Sequence, residues 1–138
     1  EVLDLFSGTG SFGLECLSRG AKYVTFVENY KEVLPILKKN LLNLNTLKNY
    51  KIIENNILQN FDFKSLNKQF DIIFLDPPYK NKEFIKIFDL LFFHRTLRDD
   101  GILIIHRHKK QLDIFPKNLK IVETRIYGIS KILFCTLN

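Results

Sequence analysis

Leu3-Asp4-Leu5-Phe6-Ser7-Gly8-Thr9-Gly10-Ser11-Phe12-Gly13 is the stretch whose reading decides the fold. The apolar run from Glu1 to Phe6 predicts a strand that stops at Ser7-Gly8. Helical spacing follows over Phe12 to Arg19, with Ser11 placed to cap its start and Gly20 to end it. Gly8, Gly10 and Gly13 fit G-x-G-x-x-G in the context that motif requires, after a strand and opening a helix. Glycine permits a tight turn and lets a ligand approach the backbone. Glu28 ends the next run, Tyr23 to Glu28, at the distance where an acid hydrogen-bonds a ribose diol. Loop and acid together point to a nucleotide-like cofactor without choosing one. A dinucleotide would set its pyrophosphate on the helix N-terminus. S-adenosylmethionine has no phosphate and would use the same loop for close packing. A tight turn that binds nothing is the plain alternative.

Working outward, strand and helix signals alternate to the end of the chain. Tyr30 to Leu44 carries Val33, Leu34, Leu37, Leu41 and Leu42 at helical intervals, and Lys51 to Glu54 predicts a short strand. Residues 61–69 are polar with scattered aromatics and are expected to form a surface connection. Asp71-Ile72-Ile73-Phe74-Leu75-Asp76 reads as a buried central strand closed by Pro77-Pro78. Glu83 to Leu97 predicts a helix and Gly101 to Ile105 another buried strand. Leu119 to Ile126 and Lys131 to Leu137 form a closing hairpin around Tyr127-Gly128. This alternation implies an α/β fold: a mostly parallel sheet, helices on both faces, and an antiparallel hairpin at one edge. One domain over residues 1–138 is expected. The opening Glu1-Val2-Leu3-Asp4, with no Met anywhere, reads as a start in mid-sequence, with an N-terminal segment missing.

The composition narrows the partners. With 46% hydrophobic and 26% charged residues in 138, neither wholesale disorder nor a fibrous repeat is expected. Lys and Arg number 21 against 15 Asp and Glu, a formal charge of +6 that suits a polyanionic partner. No apolar run reaches the roughly 20 residues a bilayer span needs, and no signal peptide is visible. The expected setting is cytoplasmic, with Cys16 and Cys135 as two buried thiols.

Asp76-Pro77-Pro78-Tyr79 closes the fourth predicted strand, at the sheet edge where open α/β folds bind ligands. Two prolines lock φ and donate no N–H, so the Asp76 and Pro77 carbonyls sit in a rigid turn. A nucleobase amine has its lone pair delocalised into the ring. Two acceptors, one per N–H, pull it toward tetrahedral geometry and make it nucleophilic. Asp76 and the Pro77 carbonyl are suited to that, and Tyr79 offers a plane for the base to stack on. The substrate supplies the nucleophile, so no Ser-His-Asp or Cys-His arrangement is required.

With these residues in place, the chain resembles a known family. Asp-Pro-Pro-Tyr after the fourth strand resembles the signature of S-adenosylmethionine-dependent amino methyltransferases of Rossmann-like fold. Residues 3–21 are similar to bacterial small-subunit ribosomal RNA guanine-N2 methyltransferases, the RsmD type, with Cys16 the departure from the Gly-Leu-Glu-Ala-Leu-Ser-Arg-Gly-Ala pattern after the glycine loop. The resemblance implies S-adenosylmethionine as cofactor, with Asp4, Gly8 and Gly10 at its methionine end, Glu28 on the ribose, and Asn56 and Ile57 at the adenine. It implies that Asp76 and Pro77 grip the guanine amine while Tyr79 stacks on the base. The fifth strand in such enzymes often ends with an acid, where this one ends Ile105-His106-Arg107.

Further along the same sheet edge, His106-Arg107-His108-Lys109-Lys110 is a basic run. Lys80, Lys82, Arg107, Lys109 and Lys110 are expected to touch phosphates of ribosomal RNA, with a solvated loop as the plain alternative. His106 and His108 are expected to point oppositely, so no metal is expected. The chain is expected to be monomeric. DNA adenine-N6 methylation, a nicotinamide-dependent oxidoreductase and a non-catalytic RNA-binding relic are the other readings. The similarity over residues 3–21 argues against the first, and the paired amine acceptors argue against the second.

Overall fold

Val2–Leu5 (β1) is buried at every position and is an interior strand of a seven-stranded sheet. The computed structural model describes residues 1–44, 49–59, 61–80 and 82–137. After β1 come α1 (Ser11–Ser18), β2 (Val24–Glu28), α2 (Leu34–Asn43), β3 (Tyr50–Glu54), β4 (Phe70–Leu75) and α3 (Lys86–Phe93). The chain closes with β5 (Leu97–His108), β6 (Leu119–Tyr127) and β7 (Ser130–Leu137). The strand order is β3-β2-β1-β4-β5-β7-β6. β1 to β5 run parallel, and β7 lies antiparallel between β5 and β6. β1 thus has β2 on one side and β4 on the other, and the connections reverse direction there. Beyond the C-terminal ends of such a pair, the loops part and leave a crevice.

Strand alternation sends successive side chains to opposite faces. Val2, Val24 and Phe26 meet Leu17 of α1 and Leu37 and Leu41 of α2. On the other face Leu3, Leu5, Ile73 and Leu75 pack with Ile87, Phe88 and Leu91 of α3. Each such burial is worth roughly 1.5–3 kcal/mol relative to exposure, and this two-sided packing holds the strand ends that carry the site. The fold is Rossmann-like, a mostly parallel sheet with helices on both faces and a C-terminal antiparallel hairpin.

Several boundaries differ from the sequence expectation for identifiable reasons. Gly10, not Ser11, occupies the cap position of α1, and no side chain caps the helix. Pro35 fixes the start of α2, so Tyr30 to Val33 form a turn and the helix begins at Leu34. The helix expected over Glu83–Leu97 is a 3-10 turn at Glu83–Ile85 followed by α3. It ends before Arg95, whose φ of 48° is left-handed, and Leu97 then pairs with Phe70 in the sheet. β5 is therefore 12 residues long rather than the five of Gly101–Ile105. Residues 61–69 are no mere surface connection. Phe61 and Phe63 are buried edge to face, 4.7 Å apart, and extend the core under β4.

Candidate active site

The glycine loop is held by carboxylates. Asp4 points from β1 toward the start of α1, where its Oδ2 accepts from the Gly13 N–H at 3.0 Å. A side chain at Gly13 would collide with Phe26, so this glycine lets α1 press against β2. Gly10, with a φ of 86°, makes room for Leu37 rather than for a ligand. Gly8, with a φ of 54°, faces open space and lines the crevice. Its N–H donates to Glu28 Oε2 at 2.7 Å, while the Asn29 and Tyr30 N–H groups both donate to Oε1 at 2.8 Å. One carboxylate thereby ties the loop after β1 to the loop after β2.

The acceptor capacity left over fits a bound adenosyl cofactor. A carboxylate offers about four lone-pair sites, so with three taken Glu28 keeps roughly one, on Oε2, for a ribose hydroxyl. Asp4 is 1% exposed, and among the described residues its Oδ1 has no partner. Burial, together with the charges of Asp76 and Glu28, pushes its carboxyl up from 3.8 to about 7. A buried acceptor without a donor is costly, and an ammonium or hydroxyl donor from a ligand would relieve it.

Asp76 emerges from β4 beside β1, and its N–H donates to the Leu5 carbonyl at 3.4 Å. Asp76, Pro77, Pro78 and Tyr79 share a cavity of about 430 Å³ with Phe6, Gly8, Glu28, Tyr30 and Val33. Phe6 has a φ of 60° there, a conformation that non-glycine residues rarely adopt and that clusters at functional sites. Asn56 and Ile57 are not part of this lining. The Asn56 side chain accepts from the Leu58 N–H, and the Ile57 side chain is buried in the core.

Arg107 corrects the sequence reading. It was expected on RNA phosphates, but it is 0% exposed and so out of reach of a polyanion. As the middle residue of His106-Arg107-His108 it points to the opposite face of β5 from its neighbours. Its Nε and Nη2 donate to Asp113 at 2.9 and 3.0 Å. Nη1 reaches the Pro77 and Pro78 carbonyls at 3.4 Å each, and Nη2 the Tyr79 carbonyl at 2.9 Å. The guanidinium also covers the Phe84 ring at 4.5 Å. A buried cation thus holds three consecutive carbonyls of the tetrad turn, with Asp113 neutralising it.

The histidines need the matching correction. His106 and His108 point to the same side of β5, as residues two apart on a strand must. Both meet the Tyr79 ring edge to face, at 5.9 and 5.8 Å. Among the described residues no group of three or more His, Cys, Asp or Glu is placed to hold a metal. Lys80, Lys82, Lys109 and Lys110 are exposed near the tetrad turn and the end of β5. Cys16 is half-buried and Cys135 buried, and both are free. Burial pushes their thiols up to about 11 and about 12, so neither is a ready nucleophile.

Sequence reasoning missed His106, Ser130, Asp113, Phe6 and Tyr30. Strand alternation was the signal available for His106 and Arg107. Tyr30 was marked by its place just past Glu28.

Comparison with known proteins shows the family. The family model described as "Conserved hypothetical protein 95" matches residues 1–136. A "Ribosomal RNA small subunit methyltransferase D" of Buchnera aphidicola (from Acyrthosiphon pisum) is 38% identical, over 91% of this chain and 65% of its own length. The protein of that name from Haemophilus influenzae is 35% identical, over 94% of this chain and 67% of its own. The chain therefore spans about two thirds of the length of these relatives. A solved Haemophilus influenzae structure, described as a proposed methylase, superposes with a TM-score of 0.79 at 32% identity, covering 98% of this chain and 84% of that one. A conserved hypothetical protein of Streptococcus pyogenes gives 0.84 at 26% identity, covering 99% and 85%. Matched almost end to end, the chain belongs to the Conserved hypothetical protein 95 family, that of the small-subunit ribosomal RNA methyltransferases D.

Proposed function

We propose that this chain is the catalytic domain of an S-adenosylmethionine-dependent methyltransferase, and that it acts on the exocyclic N2 amine of a guanine in small-subunit ribosomal RNA. One observation carries the reading: a single cavity joins Gly8 and Glu28 to Asp76, Pro77 and Tyr79. A cofactor held at one end and an amine held at the other would meet within it. The names of the relatives support a methyl donor and a ribosomal RNA substrate.

The cofactor would supply an electrophilic methyl group on a sulfonium. Glu28 would take the ribose, Asp4 Oδ1 a donor at the methionine end, with Gly8 and Gly10 in the turn alongside and Asn56 and Ile57 toward the adenine. The target base, drawn out of its stack, would lie against Tyr79. Asp76 and the Pro77 carbonyl would each accept one N–H of its amine. The long contact from Arg107 leaves the Pro77 oxygen a second lone pair for that purpose. The amine so held would be in position to take the methyl group, the S–C bonding pair staying on sulfur. The amine nitrogen, cationic for a moment, then loses a proton to Asp76 or water. Positioning supplies most of the acceleration, so no strong base is needed. Lys80, Lys82, Lys109 and Lys110 would meet phosphates at the mouth of the cavity. The proposal takes the working form to be a monomer, without metal, in the cytoplasm where ribosomal RNA resides. Among the described residues no helix is long and apolar enough to cross a membrane.

The decisive experiment offers labelled S-adenosylmethionine with small ribosomal subunits, naked ribosomal RNA and DNA in separate reactions. Label on the N2 of a small-subunit guanine is expected. Label on DNA alone would overturn the substrate. Asp76→Ala should abolish transfer and leave S-adenosylhomocysteine affinity within a few-fold. Near wild-type turnover in that variant would remove the central role given to Asp76.

A further inference from the structure

The imidazole of His106 bridges two elements of the site. Its Nδ1 lies 2.9 Å from Asp76 Oδ1, and its Nε2 lies 2.9 Å from the Ser130 hydroxyl at the start of β7. The ring is mostly shielded, while Asp76 is 42% exposed. A carboxylate so open to water is otherwise free to turn about its terminal torsion and exchange its two oxygens. Two acceptors polarise an amine only if both stay at fixed angles to it.

We propose that His106 is a positioning residue for Asp76. Anchored by Ser130, its ring occupies Oδ1 and so commits Oδ2 to the substrate amine. The inference rests on the methyltransferase reading of the cavity and adds to it a residue that never touches substrate. Hydrogen bonds to an ionised carboxylate are short and about twice as strong as neutral ones, so one ring nitrogen suffices to hold Asp76. An ionised Asp76 requires Nδ1 to carry the proton. Nε2 then offers its lone pair to the Ser130 hydroxyl, and the hydrogen-bond chain is complete without a net charge on the ring. The same ring meets Tyr79 edge to face. One side chain thus sets the acceptor and braces the stacking plane, fixing the distance between amine and base face.

Three variants and one spectrum test this. His106→Leu should lower kcat roughly ten- to hundredfold, the loss expected for one hydrogen bond to a charged group. S-adenosylhomocysteine affinity and the KM for RNA should stay near wild type. His106→Asn, whose amide N–H falls near the position of Nδ1, should recover most of the loss. Ser130→Ala should give a smaller decrease of the same kind. A merely structural histidine predicts lower stability in His106→Leu, no split between kcat and KM, and no rescue by Asn. Nitrogen NMR of the imidazole gives a readout free of turnover. At neutral pH the ring should carry its proton on Nδ1, and Asp76→Ala should abolish that preference. A wild-type ring protonated on Nε2 alone would overturn the proposal, as would unchanged kcat in His106→Leu. If the wild-type protein methylates none of the nucleic acids, the functional reading falls separately, and the spectrum still decides the hydrogen bond to Asp76.

Discussion

The two loops that form the site are held by opposite charges. After β1, the backbone presents N–H groups, and buried carboxylates take them: Asp4 receives Gly13, and Glu28 receives Gly8 along with Asn29 and Tyr30 of the loop after β2. After β4, two prolines leave the turn without N–H groups at those positions, so only its carbonyls are open to a partner. A buried guanidinium takes three of them. The chemistry of each loop's backbone therefore dictates the sign of its clamp. A glycine loop calls for an acid and a Pro-Pro turn for a base. Glu28 keeps an unused acceptor position at the cavity, whereas the guanidinium is consumed by Asp113 and the turn. On the proposed reading one clamp also binds the cofactor, and the other is support.

Breaking the support should have the largest effect. Arg107→Met leaves Asp113 charged, buried and alone, and should destabilise the fold by about 3–5 kcal/mol in denaturant titrations. Adding Asp113→Leu should recover much of that loss, since no charge is then stranded. A double variant as unstable as the single would mean that the carbonyl contacts, not the ion pair, dominate.

Asp4 offers a subtler break, through pH. Its folded carboxyl titrates near 7 and an unfolded one near 3.9, so between those values the folded chain holds a proton that the unfolded chain has lost. The resulting stabilisation is complete below the unfolded value and gone once pH passes the folded one. Between pH 5 and pH 8 the wild type should lose about 2–3 kcal/mol relative to Asp4→Asn. Thermal unfolding of both proteins across that range checks it, and parallel curves would refute it.

Glu28→Ala removes a clamp and, on the proposed reading, the ribose acceptor as well. S-adenosylhomocysteine binding should weaken by about 1.5–3 kcal/mol, the value of a charged hydrogen bond. Calorimetry with S-adenosylhomocysteine and with NAD measures it. Tight NAD binding with none of the homocysteine analogue would reverse the cofactor assignment. The smallest effect belongs to the exposed cations. Neutralising Lys109 and Lys110 together should reduce the salt slope of RNA binding by roughly one to two units without touching cofactor affinity. An unchanged slope would remove these lysines from the RNA surface.

What the sequence made legible was local. Gly8 to Gly13, Glu28 and Asp76 to Tyr79 each announce themselves through spacing and residue type at a strand end. The hairpin around Gly128 and the alternation of strands and helices were equally readable, because period 2 and period 3.6 are local properties. The failures were of two kinds. Arg107 was read as one charge in a run, although strand alternation already separates it from His106 and His108. The rest needed tertiary contact. Nothing in the chain marks Asp113, six residues on, as the partner of Arg107, or Ser130 as the anchor of His106. The burial of Phe61 and Phe63 comes from the core cluster they join with residues of β1, β4 and α3, which no window around residue 62 contains.

The pairing of β4 with β5 has a consequence for how this protein tolerates length changes. Irregularity sits at the far end of the pair, between Phe70 and Ile72, whereas Ile72 to Leu75 align unbroken with Ile102 to Ile105. An extra residue near the irregular end is absorbed before it reaches the crevice. An extra residue between Ile102 and His106 is not, because a shift of one turns every later side chain to the other face. It would rotate the guanidinium into solvent and an imidazole into the space beneath the prolines. Insertions and deletions should therefore be common at the base of these two strands in related chains and absent near their tips. The last few rungs of the ladder act as a gauge against which the reacting groups are set.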